Sequence, residues 1–162
     1  VFDQCTVTES SYYGSMYTSS LEFSLKKGIE VKNPPDRSFE TVYSPPFFQI
    51  TEEGLKGFKE FGAITALSSV TELLKKNKLT AADVSFMPHQ TSQVLINYWC
   101  EHLAPPPAQI ISTIEKFANV TVATHALNLA WYEANGNIEK DYLLMLALGP
   151  DMHANAMLLK RN

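Results

Sequence analysis

The most regular apolar pattern along the chain lies between residues 52 and 76. Apolar residues recur there every three or four positions, at Leu55, Phe58, Phe61, Ile64, Leu67, Val70 and Leu74. This spacing predicts one helix from about Glu52 to Lys76 with a single buried stripe. Lys75 and Lys76 lie at its end, where positive charge suits the helix dipole.

Shorter patterns follow this helix. Thr80 and Asp83 have the spacing of a capping box, which predicts a single helical turn. The apolar run of residues 84–87 stops at Pro88, which is typical of the end of a strand. Two more helices are predicted, from about residue 93 to 103 and from about 122 to 133. The first is ended by three consecutive prolines and the second is followed by a glycine.

The remaining apolar runs complete a predicted α/β fold. Residues 1–8, 110–114, 142–148 and 155–159 are rich in β-formers and predict further strands. Between the first strand and the first helix, paired prolines at 34–35 and 45–46 bracket a segment predicted to be irregular and at the surface. The predicted order is β-α-β-α-β-α-β-β, with helices covering a mixed sheet.

The charge composition argues against one class of function. The chain has 162 residues, of which 45% are hydrophobic and 19% are charged, as in soluble globular proteins. This length fits a single domain spanning residues 1–162. There are 13 basic and 17 acidic residues, which gives a net charge of −4. Because nucleic-acid-binding proteins usually present a clustered basic face, we predict no nucleic-acid partner.

The cysteines and histidines show no metal-binding pattern. Cys5 and Cys100 are too few for a disulfide framework, which predicts a reducing, cytoplasmic environment. His102, His125 and His153 lie on separate predicted elements without the spacing of metal ligands, so no metal is predicted. No apolar run approaches the roughly 18 residues that span a bilayer, so no membrane partner is predicted.

One histidine lies where catalytic groups often gather. His89 follows the strand that ends at Pro88, in a loop that leads into a helix. Functional groups of open α/β sheets collect beyond the carboxyl ends of the strands. A single histidine at such a place is also compatible with a structural role, and the position by itself does not choose between the two.

An asparagine occupies a similar position later in the chain. Asn119 lies between a predicted strand and the start of an alanine-rich helix. Asparagine is a favoured helix N-cap, so a structural role is open here too. Asn119 and Thr121 also match a glycosylation sequon, which we discount because no secretory signal opens the chain.

Taken together, these motifs resemble a known family. Met87-Pro88-His89-Gln90, the Asn119 loop and Leu148-Gly149-Pro150 appear in the order and at the spacing of the C-terminal half of β-ketoacyl-acyl-carrier-protein synthase III. The likeness covers essentially the whole chain and is clearest from Ile50 onward. It implies a thiolase-like half-fold, one of two pseudo-symmetric halves. Because the chain begins with Val1 rather than Met, we expect a fragment from which the N-terminal half is absent.

The resemblance also implies residue roles. In the family, a Cys of the N-terminal half takes an acyl group from a thioester, and a His and an Asn support decarboxylative condensation with a malonyl thioester. His89 and Asn119 match that pair, and Gly149 matches a glycine near the acyl carbonyl. Neither Cys5 nor Cys100 matches the nucleophile, so the isolated chain is expected to be inactive. Acyl-coenzyme A or acyl-carrier-protein thioesters are the implied substrates, with no further cofactor.

Two departures from the family bear on the substrate. Pro150 follows Gly149 where the family commonly has more glycine, and the proline removes one N–H donor. Val94 and the Glu101-His102 pair replace basic residues that dock an acidic carrier protein in bacterial enzymes of the family. Coenzyme A thioesters or an atypical carrier protein are therefore expected.

Three functions remain open at this point. The first is a condensing enzyme of fatty acid or polyketide synthesis, and the second is an acyltransferase on the same fold with His89 as general base. The third is a non-catalytic partner half. The helix from 122 to 132 is apolar almost all round, so we expect it to pack against a second thiolase half, from another domain or another copy.

Overall fold

A computed structural model describes residues 1–19, 22–24, 41–43, 47–150 and 152–161. The strands in these ranges are β1 (Asp3–Thr8), β2 (Met16–Ser19), β3 (Glu22–Ser24), β4 (Thr41–Tyr43), β5 (Phe47–Ile50), β6 (Val84–Pro88), β7 (Gln109–Ile110), β8 (Tyr142–Gly149) and β9 (His153–Lys160). Five of them form one sheet in the order β1-β9-β8-β6-β7. Two short antiparallel pairs, β2 with β5 and β3 with β4, stand apart from it.

The five-stranded sheet is mixed, as the sequence predicts. Strand β6 pairs in parallel with β7 on one side and β8 on the other. Strands β8, β9 and β1 are joined antiparallel. All five residues of β6 are buried, so this central strand lies between covered faces.

The helices are α1 (Glu52–Glu60), α2 (Ala66–Lys76), α3 (Gln93–His102), α4 (Ile114–Phe117) and α5 (Thr124–Asn135). Short 3₁₀ turns occur at Ser10–Tyr12, Ala81–Asp83 and Thr121–Ala123. The turn at Ala81–Asp83 has the predicted box geometry, because Asp83 Oδ2 accepts the Thr80 N–H at 2.8 Å. In the part of the chain that the structure describes, no helix is long and apolar enough to cross a membrane.

The predicted helix from 52 to 76 is present, but the prediction that it has a single buried stripe is wrong. A π-helical turn, Phe61–Thr65, joins α1 to α2 and adds one residue to that turn. Each residue turns a helix by about 100°, so the buried face resumes at Ala66 rather than one residue earlier. Ile64 is therefore 60% exposed, and Leu55 on α1 is 46% exposed.

The π-helical turn is tied to the core by a tryptophan. Trp99 of α3 is fully buried, and its Nε1–H donates to the Gly62 carbonyl at 2.8 Å. In this turn the Ala66 N–H bonds to the Phe61 carbonyl, five residues back. The indole thus satisfies a carbonyl of the turn, as a buried Trp N–H requires a partner.

The structure also differs from the sequence-based expectations in the segment after β6 and before α1. Residues 110–114 do not form a strand: β7 ends at Ile110, and α4 begins at Ile114. The Thr113 N–H bonds instead to the buried Gln90 side chain. Strand β2 was not predicted, because it lies in a polar stretch. The proline-bracketed segment lies largely outside the described residues, although Thr41–Tyr43 within it pairs as β4.

Candidate active site

The chemistry-bearing residues gather at one edge of the sheet. His89 directly follows β6, Asn119 lies beyond β7 and the short helix α4, and Gly149 is the last residue of β8. Because β6 runs parallel to both β7 and β8, the carboxyl ends of these three strands meet at one edge. This edge is where α/β sheets usually place their ligands.

His89 is held in a buried position. Its side chain is 9% exposed, and its backbone N–H donates to the Leu146 carbonyl at 2.7 Å. Burial, together with the neighbouring His125, lowers the pKa of His89 to about 4. The imidazole is therefore neutral near pH 7 and carries one N–H donor.

His125 is a neighbour of His89 that sequence reasoning missed. The two rings are 6.2 Å apart between centroids and tilted by 40°. His125 Nε2 lies 3.2 Å from the Leu146 carbonyl, which also accepts the His89 backbone N–H. Burial lowers the pKa of His125, while hydrogen bonds to the carbonyls of Leu146 and Met87 oppose that shift. His125 thus reaches from α5 to the strand ends beneath His89.

Asn119 lies at the surface in a tightly turned loop. Its Oδ1 accepts the Thr121 N–H at 2.8 Å, which leaves the side-chain NH₂ group as the donor for a ligand. The N-cap role therefore does not apply to α5, which begins at Thr124. The backbone angle φ is 57° at Ala118 and 52° at Thr121, and residues other than glycine rarely adopt such positive values. Ala118, with ψ −151°, lies in a region almost restricted to glycine, at a cost of order 1–3 kcal/mol.

Gln90 connects the two loops. This residue is fully buried, and its Nε2–H donates to the Ala118 carbonyl at 3.1 Å. Its Oε1 accepts the Thr113 N–H at 2.7 Å. Gln90 is the neighbour of His89 in sequence, and Ala118 is the neighbour of Asn119. A single side chain therefore joins the backbone beside one candidate residue to the backbone beside the other.

Gly149 is half-buried at the end of β8 and pairs with His153 of β9. A Cβ atom added to Gly149 would lie 3.7 Å from the Cβ of His153, an ordinary contact. The residues that the structure describes around Gly149 therefore impose no steric need for glycine. His153 is exposed and lies 2.8 Å from the Thr8 hydroxyl through its Nδ1.

The two cysteines are free thiols whose pKa values are raised. Burial raises the pKa of Cys100 to about 11, and burial together with Glu72 raises the pKa of Cys5. Because the thiolate is the reactive form, these shifts lower the reactive fraction of both thiols at neutral pH. Within the described ranges, no group of three or more His, Cys, Asp or Glu side chains could hold a metal ion.

Residues 74–161 match the family model for the C terminal of 3-oxoacyl-acyl-carrier-protein (ACP) synthase III. The match covers more than half of the chain and includes His89, Asn119 and Gly149. The chain belongs to this family. The resemblance drawn from the Pro-His-Gln and Asn119 motifs is thereby confirmed.

Relatives in the synthase III family are moderately similar to the chain. It is 32% identical over 150 residues to the β-ketoacyl-ACP synthase III of Chlorobium chlorochromatii (strain CaD3), an overlap of 91% of this chain and 44% of the relative. It is 35% identical over 94 residues to that of Rickettsia bellii (strain OSU 85-389), an overlap of 57% and 30%. The chain thus spans less than half the length of these relatives.

Solved structures of a synthase III and of a priming β-ketosynthase share the fold. The 3-oxoacyl-ACP synthase III of Pseudomonas aeruginosa PAO1 superposes with a TM-score of 0.70 at 16% identity, over 98% of this chain and 43% of that one. The priming β-ketosynthase of the R1128 polyketide pathway has a TM-score of 0.70 at 19% identity, over 98% and 44%. The predicted thiolase-like half-fold with its mixed sheet is confirmed.

The site contains residues that the motifs alone did not single out. His125 contacts the Leu146 carbonyl, and Thr113 joins Gln90 to Asn128 by hydrogen bonds. Gln90 was noted only as part of the Pro-His-Gln motif. A buried amide or hydroxyl cannot be recognised from a single sequence, because its burial depends on residues far away in the chain. The signal available was Gln90 itself, a polar residue two positions after the end of a buried strand.

Proposed function

We propose that the chain is the C-terminal part of a condensing enzyme that joins an acyl thioester to a malonyl thioester. The observation that carries the proposal is the common placement of His89 and Asn119 beyond adjacent parallel strands, in loops joined through Gln90. Membership of the synthase III family supports it. Fatty acid and polyketide synthesis are the pathways in which such a condensation operates.

The chemistry requires two donors at one oxygen. When the malonyl thioester loses its carboxylate as CO₂, the electron pair of the broken C–C bond moves onto the thioester oxygen as an enolate. A neutral His89 offers one N–H to this oxygen, and the Asn119 NH₂ group offers a second. Preorganised donors of this kind typically contribute ~10²–10³ each to the rate. The enolate carbon then attacks the acyl thioester, forms the new C–C bond and expels the thiolate.

The protonation state of His89 favours condensation over simple acyl transfer. A general base works best when its pKa lies near the working pH. His89, whose pKa burial lowers to about 4, is a weak base at neutral pH but a competent N–H donor. An acyltransferase that uses His89 to deprotonate an alcohol or amine is therefore the less suitable assignment.

We further infer that the acyl-accepting nucleophile is supplied by a second thiolase half. Neither Cys5 nor Cys100 has the lowered pKa that a nucleophilic thiol needs. The curated relatives are more than twice as long as the region they share with this chain, which leaves room for another half. The chain by itself is then inactive, and mass spectrometry with an acyl-coenzyme A should detect no acylated cysteine on it.

Helix α5 is the surface that we propose for that second half. It exposes Ala126 and Ala130, which lie one turn apart, and Val122 just before it is 97% exposed. Small and apolar residues at helical spacing allow close helix packing. The partner is the N-terminal half or another copy of the chain. If it is another copy, Ala130→Glu in the complete protein should leave only monomer in light scattering, whereas an unchanged oligomer would exclude this case.

The face of α3 bears on the thioester carrier. Val94 is 80% exposed, and Glu101 and His102 are exposed beside it, without Lys or Arg on this helix. A neutral or acidic face weakens attraction to an acidic partner. We propose coenzyme A thioesters as the preferred substrates, to be tested by comparing kcat/KM for coenzyme A and carrier-protein thioesters.

The free thiols of Cys5 and Cys100 support a cytoplasmic location.

The decisive experiment uses the complete protein with its second half. His89→Ala and Asn119→Ala should each reduce malonyl decarboxylation by ~10²–10³. Both should largely spare acylation of the nucleophilic cysteine, which can be followed separately with radiolabelled acyl donor. Condensation at the unaltered rate in both variants would contradict the assignment and favour the non-catalytic partner role.

A further inference from the structure

Gln90 is the most fully engaged buried polar side chain near the candidate site. It is 0% exposed and follows His89 directly. Its amide carries one acceptor oxygen and two N–H donors. A buried amide keeps its orientation only if those groups find partners, because unpaired polar groups are costly away from water.

The oxygen end of Gln90 is anchored in the segment after β7. Oε1 accepts the Thr113 N–H at 2.7 Å and lies 3.2 Å from the Ser112 hydroxyl. The Thr113 hydroxyl is 3.3 Å from Oε1 but only 2.6 Å from Asn128 Oδ1. Because a hydroxyl has one hydrogen, it donates over the shorter distance to Asn128. The anchor thus extends from the His89 loop to the buried face of α5.

The nitrogen end of Gln90 holds the Asn119 loop. Nε2–H donates to the Ala118 carbonyl at 3.1 Å. Ala118 has φ 57° and ψ −151°, a conformation that an alanine does not keep unless its surroundings impose it. The described contacts that hold this backbone are the hydrogen bond from Gln90 and the bond from the Ala118 N–H to the Ile114 carbonyl at 2.8 Å. The bond from the Thr121 N–H to Asn119 Oδ1 secures the other side of the loop.

We propose that Gln90 is a positioning residue that sets the Asn119 carboxamide relative to the His89 imidazole. This proposal rests on the proposed function. It means that Gln90 makes both donors point at the same enolate oxygen. It touches neither substrate nor reacting atoms. Its effect is carried through the Ala118 carbonyl to Asn119.

The test is a double-mutant cycle in the complete protein, with Gln90→Leu, Asn119→Ala and the double variant. Gln90→Leu should lower kcat for malonyl decarboxylation by roughly 10- to 100-fold, the scale of a displacement of about 1 Å, with KM little changed. In the Asn119→Ala background the same substitution should cost less than about twofold, because the group it positions is gone. A merely structural role would lower both backgrounds alike.

Gln90→Glu provides a second variant if the leucine variant does not fold. Burial raises the pKa of a carboxyl group, and the neutral acid still has an O–H that can donate to the Ala118 carbonyl. Decarboxylation by Gln90→Glu should therefore recover as the pH is lowered from 8 to about 6, as carboxyl protonation requires. Gln4→Glu is the matched control, because Gln4 is exposed on β1, which is separated from β6 by two strands of the sheet. It should match the parent protein throughout.

The outcomes separate this inference from the function beneath it. If Asn119→Ala is inactive but Gln90→Leu decarboxylates at the parent rate, the proposed function stands and the positioning role is overturned. Equal losses from Gln90→Leu in both backgrounds also overturn it, as does a pH profile of Gln90→Glu parallel to that of Gln4→Glu. If Asn119→Ala is fully active, the proposed function fails and the positioning role fails with it.

Discussion

The loops that carry His89 and Asn119 follow neighbouring strands but are built in opposite ways. Strand β6 is buried at all five positions, and burial continues through His89 and Gln90. On the other side, residues 115–119 are exposed, and two residues of the Asn119 loop have positive φ. Core packing fixes the first loop, whereas a few hydrogen bonds to the second loop fix its strained backbone.

This difference separates two ways of preparing a donor. Burial determines the chemistry of His89, because it keeps the imidazole neutral. Local geometry determines the availability of Asn119, because its oxygen is used within the loop, whereas its NH₂ group bonds to none of the described residues. We therefore expect changes near His89 to affect stability and protonation, and changes near Asn119 to affect catalysis with little effect on stability.

The largest expected effect comes from a pair of phenylalanines. Phe86 in β6 is fully buried, whereas Phe117 before the Asn119 loop is 38% exposed and meets Trp131 edge-on. Phe86→Ala should lower the free energy of unfolding by about 3–5 kcal/mol. Phe117→Ala should lower it by less than about 1.5 kcal/mol. Denaturant unfolding measures both, and equal losses would show that the two loops do not differ as described.

A second test uses the pH dependence of stability. Folded His89 stays neutral down to about pH 4, whereas the unfolded side chain is protonated below its ordinary pKa of 6.5. The unfolded state binds more protons in that window, so stability falls as the pH falls through it, by roughly 3 kcal/mol in all. His89→Gln should flatten the slope to what His125 contributes. Asn119→Ala should leave the slope unchanged, and a flattened slope in that variant would refute the contrast.

The smallest effect tests the strained backbone. Ala118→Gly should stabilise the protein by roughly 1 kcal/mol, because glycine adopts positive φ without strain. Ala123→Gly is the matched control, because Ala123 has an ordinary φ of −81°. This substitution should lower the free energy of unfolding by roughly 0.5–1 kcal/mol. Thermal or chemical unfolding distinguishes the signs. Destabilisation by Ala118→Gly would mean that the loop is not under the strain we describe.

Sequence patterns predict the helices, strands and turns that are determined by residues close together in the chain. Strand β6 and the place of His89 follow from an apolar run that stops at a proline, and the turn at 81–83 follows from its capping box. Helix α5 and the final hairpin follow in the same way. The family likeness adds the pairing of His89 with Asn119, which no local pattern could supply.

What the patterns miss depends on distant contacts. Strand β7 ends early because Gln90, some twenty residues upstream, takes the Thr113 N–H. Strand β2 forms in a polar stretch because β5 pairs with it. The approach of His125 to His89 follows from the packing of α5 over the sheet, and helical periodicity gives a face but not the residue opposite it.

The π-helical turn at Phe61–Thr65 divides the long helix into two segments, α1 and α2, whose buried faces follow separate helical repeats. The turn contains one residue more than an ordinary helical turn. Removing one residue there would restore the ordinary helical repeat and rotate α1 by about 100° against α2, without changing the number of turns that pack on the sheet. Ala66–Lys76 contains no such turn, so the phase of its buried face is set by the ordinary helical repeat.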